Sequence, residues 1–303
     1  MSDIVGIGAN VSDTLYTIPK FPDEDTKLRA INSVQSGGGP CATGLVAASK
    51  LGADCAYLGV LTDDSAGVFL KKDMEKYNVS TELVEIETGY TSFTSSIWLS
   101  LDTASRTCVF HKGDLPPFKL SENHKEAIRK ANILMVDGNE LGAAVEAAKI
   151  AKAARTKVLY DAGGLYDGVE TLLAESDIII PSEEFSLAHT GTENVVDAAR
   201  VLYEKYSPDV VVITQGKEGG VIYDGNETKK YPAFVVDAID SNGSGDVFHG
   251  AFAFAVNYGY DYYKSCVFSS AVSALKCTRI GARSAVPTFD ETVEFLKERG
   301  INV

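Results

Sequence analysis

Positive charge is scarce in this sequence. Its 303 residues carry 28 Lys and Arg against 42 Asp and Glu, a formal net charge of −14. A balance this acidic leaves no broad basic surface, so nucleic acid and anionic membranes are not expected as partners. One local basic pocket for a phosphate stays compatible with it. Cysteine is sparse and scattered: Cys41, Cys55, Cys108, Cys266 and Cys277 are odd in number and never spaced C-x-x-C. That speaks against a disulfide frame and a zinc site, and for small core residues in a reducing cytoplasm. No apolar run is long enough to span a bilayer. Met1-Ser2-Asp3-Ile4-Val5 enters a strand-like run without the marks of a secretion signal. A cytoplasmic protein is expected. Internal repeats, low-complexity tracts and linkers are missing too, which favours one core domain with a small appendage over two equal domains. What is present, 45% apolar and 9% aromatic residues, suits a globular chain with a substantial core.

The second half has α/β rhythm. Periodicity predicts helix 121–130 before strand 133–136, and helix 141–154 before strand 157–161. Strand 178–180 follows, then helix 194–206 before strand 210–214. Helices 262–278 and 291–299 close the chain. Strands alternating with amphipathic helices imply a mostly parallel sheet covered on both faces. The first half differs. Residues 14–35 alternate weakly around Pro19 and Pro22 and read as two short strands. Residues 93–101 and 107–111 alternate around Asp102-Thr103-Ala104-Ser105, which is hairpin chemistry. Together, over roughly 14–35 and 91–113, they predict a small lid sheet outside the main one. Arg106, His111 and Lys112 lie on or beside it. Lys27 and Arg29 are cations that could face an anionic substrate group or simply be solvated.

The chain is organised around Asp240-Ser241-Asn242-Gly243-Ser244-Gly245-Asp246-Val247-Phe248-His249-Gly250-Ala251. Phe248, Ala251, Phe252 and Ala255 fall at i, i+3, i+4 and i+7, so a helix with a buried face follows a glycine turn. Gly243 and Gly245 open backbone conformations closed to other residues. The unpaired N–H groups of the first turn then form an anion site without a cationic side chain. A carboxylate at that junction has a use if Asp246 takes a proton from a hydroxyl while the backbone donors hold a transferring phosphoryl group. A capped surface helix with an N-terminal acid would also satisfy these residues.

The string resembles the carboxy-terminal signature of the ribokinase-like, phosphofructokinase-B-type carbohydrate kinases, Asp-Thr-x-Gly-Ala-Gly-Asp-x-Phe-x-Gly-Ala, with Ser241 for Thr and Ser244 for Ala. Ser36-Gly37-Gly38-Gly39-Pro40, with Leu51-Gly52-Ala53 and the 59–67 stretch, resembles the amino-terminal signature. The resemblance covers nearly the whole chain. It implies a three-layer αβα sandwich with a small β lid, a dependence on ATP and Mg²⁺, and in some members a monovalent cation such as K⁺. It implies that Asp246 is the base and that Gly243, Ser244 and Gly245 form the anion hole. Asn10 and Asp13, after the first strand, would grip the sugar with Gly38 and Gly39. Thr214, Gly216 and Gly219 would lie near ATP. Gly281, Ala282 and Ser284 would border the nucleotide or the cation.

Two rival motifs fail. A dinucleotide fingerprint at Gly6-Ile7-Gly8 would need glycine where Val11 stands, which disfavours a NAD enzyme. A Walker loop at 211–218 has Val211 and Glu218 in the wrong places. The family pattern itself bends at one point. Its usual Asn-x-x-Glu after the strand near 180 is here Ser182-Glu183-Glu184-Phe185. That leaves Glu183 or Glu184, with Asp240, as metal candidates. Within the family, Gly-Gly-Gly-Pro-x-Ala-Thr at 37–43, the 246–251 run and the 274–279 run are similar to sulfofructose and ketohexose kinases. A neutral Asn139 stands where a basic residue would be expected for a sulfonate. The expected activity is phosphoryl transfer to a primary hydroxyl of a ketose, its phosphate or sulfofructose. A nucleoside kinase, with Tyr16, Tyr90 or Phe93 against the base, and a non-catalytic sugar or nucleotide sensor remain alternatives. A homodimer paired through the lid is the expected assembly.

Overall fold

The structure is a computed structural model and describes residues 2–103 and 105–302. Ala104, in the expected hairpin turn, lies outside the described residues. The chain opens with β1 (Ile4–Ile7), β2 (Val11–Ile18) and β3 (Asn32–Gly38), then α1 (Pro40–Leu51). Next come β4 (Cys55–Tyr57), β5 (Val60–Thr62), α2 (Ser65–Lys76), β6 (Val79–Ser80) and β7 (Glu85–Glu87). The pair β8 (Thr94–Ser100) and β9 (Arg106–His111) leads to α3 (Glu122–Lys130). Strict alternation follows: β10 (Ile133–Val136), α4 (Leu141–Ala154), β11 (Lys157–Ala162), α5 (Val169–Leu173), β12 (Ile178–Pro181). After α6 (Glu183–Thr190) and α7 (Val195–Tyr206) come β13 (Val210–Thr214), β14 (Gly220–Tyr223) and β15 (Thr228–Tyr231). Helices α8 (Ser244–Asn257), α9 (Tyr262–Cys277) and α10 (Phe289–Lys297) complete the chain.

The main sheet has nine strands in the order β15-β14-β13-β12-β11-β10-β1-β4-β6. It is parallel from β6 to β13, and only β14 and β15 run antiparallel. Alternate residues of each strand feed two cores. Ile133, Met135, Leu159, Ile178 and Val210 pack with α1, α8, α9 and α10. Leu134, Val136, Val158, Tyr160 and Ile179 pack with α3, α4 and α5, while Val211, Ile213 and Val221 meet α7. Burial on both faces explains why these strands read as continuous apolar runs. The result is the expected three-layer αβα sandwich. Among the described residues, no helix is long and apolar enough to cross a membrane.

The small sheet, β3-β2-β8-β9, stands apart from the main one. Its strands reach further than the sequence suggests. Val11 pairs with Gly38 and Asp13 with Ser36, so Asp13, Gly37 and Gly38 are strand residues rather than loop or cap. The reason is steric: a Cβ on Gly38 would collide with the Asp13 carboxylate, and one on Gly37 with Arg283 and Asp73. Glycine here makes room for side chains. Helices α2, α5 and α6 also escape the sequence reading. Asp64 caps α2 through Gly67 N, and Ser182 caps α6 through Phe185 N. The closing helix starts two residues earlier than expected, because Thr288 and Glu291 form a capping box.

Candidate active site

Helix α8 starts where the glycine turn ends. Gly243, its N-cap, has φ 73°, and an added Cβ would press on Ala282. No side chain caps this helix. Five other helices are capped by Asp64, Ser182, Asn194, Asp261 and Thr288. A Cβ built on Gly245 meets nothing within 4 Å, so open space lies ahead of the turn. The first-turn N–H groups are left to a ligand, with the helix dipole behind them.

Two cavities share this turn. A smaller one of about 200 Å³ is lined by Asp13, Gly38, Gly39, Phe93, Ser95, Ile97, Cys108 and Phe110, and on the α8 side by Gly243 and Asp246. A larger one of about 540 Å³ is lined by Thr214, Gly216, Gly219, Phe234, Val236, Ala238, Ala274 and Cys277, and on the α8 side by Ser244 and Gly245. The first is polar on its β2–β3 side and has the scale of one small molecule. The second is larger and mainly apolar, which suits a planar base with a polar tail at the Thr214–Gly219 end.

Most residues expected in the site fall into these two cavities, but some do not. Asn10 and Asn139 line a third cavity of about 270 Å³, together with Phe93, Lys112 and Glu140. Asn10 Nδ2 is buried there without a partner, an open donor of the kind a ligand completes. Asn139 instead binds Asp137 through its N–H and its side chain. Ala282 sits at the smaller cavity against Gly243, rather than beside the nucleotide cavity. Packing of its methyl group into the turn puts it there. Gly281 and Ser284 line neither cavity: Gly281 N donates to Asp240 Oδ2, and Ser284 Oγ to Ile280 O. Lys27 is exposed on the connection between β2 and β3, off the strands, and lines no cavity described here. Arg106 is exposed at the start of β9. The period of two puts it on the same face as Cys108 and Phe110, at the rim of the smaller cavity.

Of the metal candidates, Asp240 and Glu183 differ. Asp240 Oδ1 accepts Asn242 N and Oδ2 accepts Gly281 N, each at 2.8 Å. This carboxylate holds the glycine loop together. Glu183 is exposed in the first turn of α6 and receives Gln215 Nε2 at 2.8 Å. It stands beside the larger cavity, because Ser182 bridges to Thr214. Phe185, at the position of the usual glutamate, is buried in the core. Among the described residues, no group of three or more His, Cys, Asp or Glu side chains could hold a metal ion.

Burial shapes the acids. Asp13 is pushed up to about 6, mainly by burial; its bond from Ser95 and the Arg283 charge pull the other way. Asp246 is also raised by burial, and His249 opposes that rise more than any other group. His249 lies one turn further along α8. Its Nδ1 is 2.7 Å from Gly245 O and 3.2 Å from Asp161 Oδ2, and its Nε2 is 3.0 Å from Ile180 O. Oxygens therefore face both ring nitrogens. The sequence reading also missed Arg283. It is fully buried and donates to Asp73 Oδ2 at 2.6 Å, Asn10 Oδ1 at 2.9 Å and Gly38 O at 2.6 Å. It fixes the β3 end and Asn10 behind the smaller cavity. Its position inside Gly-Ala-Arg-Ser carries no local signal of this.

Known sugar kinases are similar to this chain in sequence and fold. The chain is similar to the ribokinase of Haemophilus influenzae, 27% identical over 96% of this chain and 97% of that protein. It is 27% identical to the ATP-dependent ribose-1-phosphate kinase of Halopiger xanaduensis, over 95% of each chain. The fold matches that of Arabidopsis thaliana ribokinase complexed with ribose and ATP, with a TM-score of 0.87 over 98% of this chain and 99% of that one, at 21% identity. Residues 1–289 match the model of the pfkB carbohydrate kinases, and a bare helix start shared by a sugar-sized and a nucleotide-sized cavity is what such chemistry requires, so this chain belongs to the pfkB family of carbohydrate kinases.

Proposed function

We propose that this kinase transfers the γ-phosphoryl group of ATP to a primary hydroxyl of a neutral, furanose-forming sugar, a ketohexose or a pentose. One observation carries the reading. The first turn of α8 divides between the cavities, with Gly243 and Asp246 on one and Ser244 and Gly245 on the other. A hydroxyl in the smaller cavity and a phosphate tail in the larger would meet across backbone N–H donors.

The charge of the smaller cavity favours a neutral acceptor. No Lys or Arg lines it, and two carboxylates do; Arg106 stands exposed at its rim. A sugar phosphate or sulfofructose would want a cation there. Arg283 cannot serve, since Asp73, Asn10 and Gly38 already take its donors. Asp13, with Gly38 and Gly39 beside it, would accept hydrogen bonds from sugar hydroxyls. Asp246 would take the proton of the attacking hydroxyl, and its burial favours that, because a raised pKa makes a carboxylate a better base. The N–H groups at 243–246 would stabilise the charge that grows on the transferring group. Magnesium bound with ATP would add neutralising charge, with Glu183, exposed at the start of α6, as a candidate carboxylate.

One feature favours a second reading. Phe93 and Phe110 line the smaller cavity with ring centroids 5.8 Å apart, and such a pair could hold the base of a nucleoside. Of the aromatic residues considered from sequence, only Phe93 reaches this cavity. ADP release measured across ketohexoses, pentoses, a ketose phosphate, sulfofructose and adenosine separates the readings. Turnover with neutral sugars is expected. Turnover with adenosine or with the anionic sugars alone would overturn it. Asp246→Asn should keep sugar and ATP binding by calorimetry and lower kcat by about 10³-fold. Near-normal kcat would remove Asp246 as the base.

A further inference from the structure

Beneath the α8 turn lies an ammonium group that the reaction does not use directly. Lys276, in the last turn of α9, is fully buried. Its Nζ donates to Asp240 O at 2.7 Å and lies 3.9 Å from Asp240 Oδ1. The loop that receives it is tied down from several sides. Ile239 N and Asp240 N donate to Cys277 O, Asn242 N to Asp240 Oδ1 and Gly281 N to Asp240 Oδ2. Three residues beyond Asp240 comes Gly243, the cap of α8.

The family resemblance implies a monovalent cation in some members. The residues here do not fit one at this loop. A free cation needs several oxygens, above all a carboxylate and backbone carbonyls. The Asp240 carboxylate already accepts two backbone N–H groups, and its carbonyl is taken by Lys276. A second positive charge beside the buried ammonium would be repelled with little water to screen it. A buried ammonium is costly to keep, which argues that it serves the loop it touches.

We infer that the ammonium of Lys276 is a built-in replacement for a monovalent cation under the α8 cradle, and that this kinase works without K⁺. Lys276 is then a positioning residue: it acts through the Asp240 loop and touches neither sugar nor phosphate. Its charged neighbours are Asp240, Asp246 and Arg106, with the Cys277 thiol nearby. Burial lowers its pKa, and Asp240 opposes that. This inference rests on the α8 turn being the phosphoryl site.

The test compares K⁺, Na⁺ and tetramethylammonium chlorides at equal ionic strength, reading thermal unfolding and ADP release. The wild-type protein should show the same Tm and the same turnover in all three. Lys276→Met should lower kcat about 100-fold with little change in the KM for ATP. In that variant K⁺ or NH₄⁺ should raise both Tm and kcat, while tetramethylammonium, too large for the gap, should do neither. A wild-type Tm or turnover that rises several-fold more with K⁺ than with Na⁺ would overturn the inference. So would a folded Lys276→Met protein that no small cation restores. If that variant does not fold, the wild-type comparison still decides. If no sugar is phosphorylated, the phosphoryl reading fails, and the Tm comparison still reports on the cation.

Discussion

Two acids and a histidine set the electrostatics of the site. Asp13 has an ordinary value of 3.8 and is pushed to about 6 when folded, mainly by burial. The sign follows. Above about pH 6 the folded chain carries a buried charge that the unfolded chain exposes freely, so folding is penalised. Below about pH 4 both states are protonated and the penalty is gone. At pH 7.5 it is on the order of 3 kcal/mol. Asp13→Asn should therefore raise Tm at pH 7.5, with the gain vanishing near pH 4, while the KM for sugar rises. An unchanged or lower Tm at pH 7.5 would refute the burial argument. His249 holds Asp246 in the opposite direction. A protonated base cannot accept a hydroxyl proton, so kcat/KM must fall as pH drops through the Asp246 pKa. His249→Gln removes the charge that opposes the rise, and the acid limb should move to higher pH. A limb that stays put while overall activity drops would mean that His249 is only a structural peg between Gly245 O and Ile180 O. None of these three side chains could be assigned its environment from sequence. Asp13 meets Ser95 across two strands, and His249 meets Asp161 from another strand.

The first turn of α8 is an element built for a ligand at a cost to itself. Glycine is a poor helix former, yet Gly245 sits inside the helix with its missing side chain facing empty space. Alanine there would meet no clash, and its helix preference is better by about 1 kcal/mol. Gly245→Ala should thus raise stability by up to about that amount. It should also cut kcat by roughly 10-fold or more, because the methyl group enters the cavity beside Ser244 where phosphate would pass. A stability gain with full activity would show that the phosphate runs elsewhere. Element boundaries were legible wherever a period or a cap was local. Helices α3, α4 and α7 and strands β10 to β13 were readable for that reason, and so was the α8 start. The extension of β2 to Val11 and of β3 to Gly38 was not, because the glycines fit around Asp13, Asp73 and Arg283. Helix α6 was hidden by an expected metal motif, although Ser182 is an ordinary cap acceptor.

For the whole molecule, the small sheet is the unfinished part. Strands β3 and β9 are its open edges, and Ile31, Val34, Val109 and Phe110 on or beside them are exposed. Apolar edges of this kind invite pairing. We expect a dimer at micromolar concentration by light scattering after size exclusion, and Val109→Asp should shift it toward monomer. A monomeric wild type would refute this. The sequence alone determined the mostly parallel, helix-covered sheet and the glycine turn that runs into α8 with Asp246 at the junction. Each rests on residues adjacent in the chain, where backbone geometry and helix period act directly. Tertiary structure alone decided which charges surround the cradle. Arg283 meets Asn10 from 273 residues away, and Lys276 reaches back to Asp240. Such contacts depend on packing between helices and strands distant in the chain, and burial, which turns them into strong electrostatic partners, exists only once the core has closed.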